Sequence, residues 1–263
     1  MLKHPPSRAI LLSPGRTGSQ ALVRILTQLA PCPGIKVRHE HPLSRTLIPI
    51  AHLNPSWSEQ LALRITAADH QSVQAQTSGS GCSPLLKHIR IDPLLSHCAA
   101  RAWASQADRL VFLTRHPVDW VESLARKIRY QKLYPLIRAL PWLRPTASAS
   151  LRNTLEAELP RESPYLLGLL AAYVALHRVV AAFPEQPLQL RYEHLYGVWE
   201  SPTWRESWQA LWSALGWNHP FPSDQVQLLQ QRRRNAAPIR LGYCIHNRHA
   251  VERTVMALIA AGC

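Results

Sequence analysis

Along this chain, short unbroken apolar runs alternate with stretches whose apolar residues recur every three or four positions. Ala9-Ile10-Leu11-Leu12 is a continuous apolar run halted by Ser13-Pro14-Gly15, the pattern of a buried parallel strand ending in a turn. From Ser19 to Ala30, Ala21, Leu22, Ile25, Leu26 and Leu29 fall at helical spacing, and Pro31 to Gly34 supply the stop. The unit then recurs. A helix is predicted over Pro93 to Gln106 and a buried strand at Leu110-Val111-Phe112-Leu113. A second helix opens on Pro117, where a missing N–H costs nothing, and carries the stripe Val118, Val121, Ala125 and Ile128. Ser83 to Ile89 and Pro187 to Tyr192 read as further strands; Tyr165 to Ala182, Thr203 to Leu215 and Arg248 to Ala260 read as helices. Alternation of this kind predicts an α/β fold of three layers, with a central, mostly parallel sheet flanked by helices. Pro135, Pro141, Pro145, Pro160 and Pro164 break the rhythm and mark an insertion or lid at about 134–164.

Composition narrows the picture. A chain of 263 residues with 46% apolar residues can bury a sizeable core in one domain. No apolar stretch is long enough for a membrane span, and Met1 to Pro6 run straight into the first strand pattern, so a soluble, cytoplasmic protein is expected. Cys32, Cys82, Cys98, Cys244 and Cys263 are odd in number and scattered, which argues for reduced thiols over a disulfide framework. Thirty Lys and Arg against sixteen Asp and Glu leave a net charge of +14, and so an anionic partner.

That partner is named more closely by the first strand-to-helix turn, Ser13-Pro14-Gly15-Arg16-Thr17-Gly18-Ser19. Glycines let the backbone curl there, and amides at the start of the following helix can face an anion. A nucleoside-triphosphatase loop needs Gly, four residues, then Gly-Lys-Ser/Thr; here Gly15 and Gly18 are too close and no lysine follows Gly18. A second anion clamp is suggested by Arg115, at the end of the Leu110 strand, and Ser123, eight residues on and about two turns into the next helix.

With these two motifs the chain resembles the PAPS-dependent sulfotransferases (PAPS is 3′-phosphoadenosine 5′-phosphosulfate). Their phosphosulfate loop has the form Arg/Lys-Ser/Thr-Gly-Ser/Thr, and their 3′-phosphate site is Arg, any residue, Pro, then Ser eight residues after the Arg. The resemblance implies a single P-loop-type sulfotransferase domain over residues 1–263. It implies further that Pro14, Gly15, Arg16, Thr17, Gly18 and Ser19 hold the 5′-phosphosulfate of the donor PAPS, that Arg115 and Ser123 hold its 3′-phosphate, and that PAP is the product. Leu190-Arg191-Tyr192-Glu193-His194-Leu195 is similar to the family's Arg-Tyr-Glu-Asp-Leu segment, with His194 in place of the acid.

For the base that takes the acceptor's proton, two residues stand out. Glu40, in His39-Glu40-His41-Pro42, lies where several family members place a glutamate, and it ranks ahead of His88, which resembles the histidine base of the steroid and phenol enzymes. Lys87 and Arg16 are the cations expected to stabilise the departing oxygen. His39, His41, His246 and His249 match no closed metal-ligand spacing, so no metal is expected. Arg232-Arg233-Arg234 lies where the family brings a basic segment over the nucleotide but departs from its Arg-Lys-Gly pattern; a solvated basic face is the competing reading. Two other readings are an ATP-dependent P-loop kinase, disfavoured by the missing lysine, and a basic nucleic-acid-binding protein, for which no recognised motif is present, so no nucleic acid is expected. The acceptor is left open among carbohydrate, lipid, peptide and small alcohol, because the donor site does not specify it.

Overall fold

The computed structural model describes residues 8–13, 17–30, 85–90, 109–130, 149–217, 219–231 and 245–262. Four strands, β1 (Arg8–Ser13), β2 (Leu85–Arg90), β3 (Arg109–Thr114) and β4 (Leu188–Arg191), form a sheet of order β2-β1-β3-β4 in which every pairing is parallel. Ala9 lies opposite both Leu86 and Arg109, and Leu113 opposite Leu190, so β1 and β3 are interior strands. Burial on both faces explains why their sequences are continuously apolar.

Alternate residues serve the two faces. Ala9, Leu11, Val111, Leu113 and Leu190 belong to one apolar cluster with helices α1 (Ser19–Leu29), α6 (Pro202–Ala214) and α7 (Ser223–Gln231). Here α1 contributes Leu22, Ile25, Leu26 and Leu29, while α6 contributes Trp204, Trp208, Leu211 and Trp212 at helical spacing. Trp204 and Trp208 are wholly buried, and truncating such a ring to Ala costs about 3–5 kcal/mol. The opposite face bears Leu12 and Phe112; the Phe112 ring meets His177 edge-on, with centroids 5.0 Å apart. His177 belongs to α4 (Pro164–Ala181), which packs in a second cluster with α2 (Pro117–Tyr130), α3 (Ala149–Glu158) and α8 (Arg248–Ala260). The fold is therefore an α/β sandwich of three layers, as the sequence pattern predicts.

Local chemistry sets the helix starts. Ser163-Pro164 and Ser201-Pro202 each place a serine at the N-cap and a proline at the first helical position. The serine hydroxyls accept from Leu166 N and Trp204 N, both at 3.3 Å. The stretch expected to be an insertion is described only from 149 onward. There α3 buries Leu151 and Leu155, and Leu159 beyond its end, in the same cluster as α4. The helix expected over Pro93 to Gln106 lies outside the described residues, as do residues 134–148. Among the described residues no helix is long and apolar enough to cross a membrane.

Candidate functional site

In a parallel sheet the carboxyl ends of the strands open onto one edge, where ligands of such folds bind. Here that edge carries Ser13, Thr114 and Arg191 as the last residues of β1, β3 and β4, followed by the α1 turn, the 115–116 loop and the one-turn helix α5 (Tyr192–Leu195).

The α1 turn is closed from below by a 2.5 Å hydrogen bond between Ser13 Oγ and Thr17 Oγ1, both fully buried. Gly18 then caps α1 with φ +75°, a left-handed conformation in which a Cβ is strained. Gly18 has no side chain to cap the helix, and the first turn holds no acidic residue. Both features keep the positive end of the helix compatible with an external anion. Ser19, the first helical residue, is buried. The space beside Gly18 is filled by two tyrosines. A Cβ there would stand 2.7 Å from Tyr192 Cε2 and 2.8 Å from Tyr196 Cε2, and the Tyr196 hydroxyl donates to Gly18 O at 2.9 Å.

The same tyrosine pair reaches the second loop. The Arg115 guanidinium carbon sits 4.5 Å from the centre of the Tyr192 ring, a cation–π contact, and the Tyr192 and Tyr196 rings are 4.8 Å apart. The backbone around Arg115 is fixed on both sides. Tyr173 Oη donates to Arg115 O at 2.5 Å, and His116 N donates to Glu193 Oε1 at 2.8 Å. Burial pushes the Tyr173 phenol well above its usual range, with the Glu193 charge adding to the effect, so it stays protonated as the donor this bond requires. His116 Nε2 lies 2.9 Å from Glu252 Oε1 of α8, and this bond holds the Glu252 carboxyl below its ordinary value. One turn earlier on α8, Arg248 bridges Asp119 at 2.6 Å and Glu122 at 2.5 Å on α2.

Of the residues singled out by sequence, Thr17, Gly18, Ser19 and Arg115 gather at this edge. Ser123 is half-buried on α2, in the turn following the one that Arg115 precedes. Thr17 turns its hydroxyl inward to Ser13 and so shapes the loop. Lys87 and His88 lie within β2, opposite Ile10 and Leu11; the edge position paired with Ser13 is Arg90. Pro14, Gly15, Arg16, Glu40 and Arg232 to Arg234 lie outside the described residues. Tyr173, Tyr196 and Glu252 carry no local signal in the sequence, and Tyr192 and Glu193 stand out there only as part of a family-like segment. Their roles depend on contacts between distant parts of the chain, which no local spacing encodes.

The fold and the left-handed Gly18 together define a parallel α/β protein whose first helix begins at the carboxyl edge of its sheet. No protein-family model and no curated protein matches the chain. Among solved structures, a sulfotransferase domain from the curacin biosynthetic pathway is similar to it, with a TM-score of 0.47 and 15% sequence identity over 96% of this chain and 97% of that one.

Proposed function

We propose that the protein transfers a sulfuryl group from PAPS to a hydroxyl or amine acceptor and releases PAP. What supports this reading most directly is that Arg115 and the Gly18 turn meet across one tyrosine ring, Tyr192, with Arg115 4.5 Å from that ring and Gly18 packed against its edge. Two cationic or amide-rich loops held side by side suit a ligand with two separate anionic groups, and PAPS, with a 5′-phosphosulfate and a 3′-phosphate, is such a ligand.

In this reading the first-turn amides of α1, with Arg16 and Ser19, bind the 5′-phosphosulfate, while Arg115 and Ser123 hold the 3′-phosphate. When bound, the donor supplies a sulfuryl group already activated by its bond to a phosphate oxygen. Glu40 accepts the proton from the acceptor as its oxygen or nitrogen forms the new bond to sulfur, ahead of His88, which β2 sets back from the edge. Arg16 stabilises the negative charge left on the phosphate oxygen as the old S–O bond breaks, whereas Lys87, three positions before Arg90 on β2, is set back from the edge. No proton is needed on that leaving group, so one base and fixed cations suffice. The net charge of +14 favours capture of so anionic a donor.

The test is calorimetric titration with PAP and with ADP, in the absence and then the presence of magnesium. PAP should bind without metal, and ADP more weakly by about tenfold or more, the worth of one charge-assisted phosphate contact. Arg115→Ala should abolish that preference. Equal binding of the two nucleotides, or a magnesium requirement, would sink the reading in favour of an ATP-dependent kinase.

A further inference from the structure

We infer that Tyr196 and Glu193 are positioning residues that lock the two anion-binding loops to each other, each acting through a backbone atom and touching no ligand. The inference rests on the donor site proposed above and adds the device that sets the spacing between its two halves. Tyr196 Oη donates to the Gly18 carbonyl at 2.9 Å, the same oxygen that accepts the first helical bond of α1 from Leu22 N at 3.0 Å. That second bond orients the peptide that follows Gly18, and with it the Ser19 amide. Glu193 Oε1 accepts from His116 N at 2.8 Å, and so fixes the peptide next to Arg115.

Both residues belong to one short segment that is itself tied to the core. The Leu195 carbonyl between them accepts from Trp208 Nε1 at 2.9 Å and from Gln230 Nε2 at 2.7 Å, on α6 and α7 respectively. Leu195 is wholly buried, and the Tyr196 amide closes the turn onto Tyr192 O at 2.9 Å. A loop that moved alone would break a bond to this segment; a segment that moved would break its bonds to the tryptophan core. The α1 turn and the Arg115 loop are therefore both tied to this one segment.

Three probes separate the halves: PAP carries both phosphates, 3′-AMP only the one assigned to Arg115, and 5′-AMP only the one assigned to the α1 turn. Tyr196→Phe keeps the ring against Gly18 and removes only the hydroxyl. It should weaken PAP and 5′-AMP by about fivefold to tenfold, the worth of one hydrogen bond, and leave 3′-AMP unchanged. Glu193→Ala should do the reverse, weakening PAP and 3′-AMP but not 5′-AMP, and Glu193→Gln, whose amide oxygen still accepts, should restore binding. Equal loss for all three ligands would mean a general structural role, and no loss would mean no role; either overturns the inference. Failure of the unmodified protein to prefer PAP over 5′-AMP would instead count against the donor assignment, while the effect of Tyr196→Phe on 5′-AMP still tests the positioning.

Discussion

Gly18 is the residue on which the site's geometry turns, because its left-handed backbone and its missing side chain are both used. Alanine there would be strained by about 1–2 kcal/mol at φ +75°, and its methyl group would stand within 3 Å of two tyrosine rings that are packed from behind. Gly18→Ala should therefore destabilise the protein by at least about 2 kcal/mol in a denaturant melt, and the surviving folded protein should bind PAP poorly. Sequence could show that a glycine was wanted at this turn. It could not show that Tyr192 and Tyr196 occupy the space, since they lie far along the chain. Thr17 makes the same point. Its place in a family-like motif implies a hand in phosphate binding, and local spacing gives no sign that its hydroxyl also shares a buried hydrogen bond with Ser13.

At the scale of elements, much was legible because pattern and packing agree. The apolar runs at Ala9 to Leu12 and Leu110 to Leu113 became β1 and β3, and the helix expected over Arg248 to Ala260 appears with those bounds. Three elements were not foreseen, the first being α3, which falls inside the proline-broken stretch read as an insertion or lid. The apolar residues of Ser223–Gln231 are too few to form a helical stripe, and it is Val226, buried against α1 and α6, that stabilises α7. The strand expected over Pro187 to Tyr192 stops at Arg191, and the chain turns there at once into α5, held by the bonds to Leu195 O. The serine caps offer a clean check on local control. Replacing Ser163 or Ser201 by Ala should each cost about 1 kcal/mol, read as a shift in the unfolding midpoint with unchanged slope. A loss near zero would mean that tertiary packing alone fixes those helix starts.

For the molecule as a whole, the half-buried His177 behind the sheet links stability to pH. Packing between Phe112 and Tyr173 strips His177 of solvent, and the positive Arg191 adds to the effect, so its pKa falls from 6.5 to about 4. The folded state thus favours neutral imidazole, while the unfolded chain takes up a proton below about pH 6.5. The contribution is complete above that pH and is lost progressively between about pH 6.5 and 4, by at most about 1.4 kcal/mol per pH unit. Urea melts across this range should show that slope in the unmodified protein and a shallower one in His177→Phe. The parallel topology has a consequence in time. Among the described strands none pairs with one close in sequence: Arg8 meets Leu85, Ala9 meets Arg109, and Val111 meets Leu188. Folding must close long loops before any pairing is rewarded, which makes it slow. During synthesis β1, β2 and β3 can associate while β4 is still unmade, but the segment that ties Gly18 to the Arg115 loop emerges only after β4. A nascent chain can thus pair β1, β2 and β3 while its two loops are still untied, and the joining of those loops arrives as a late event that follows the making of β4.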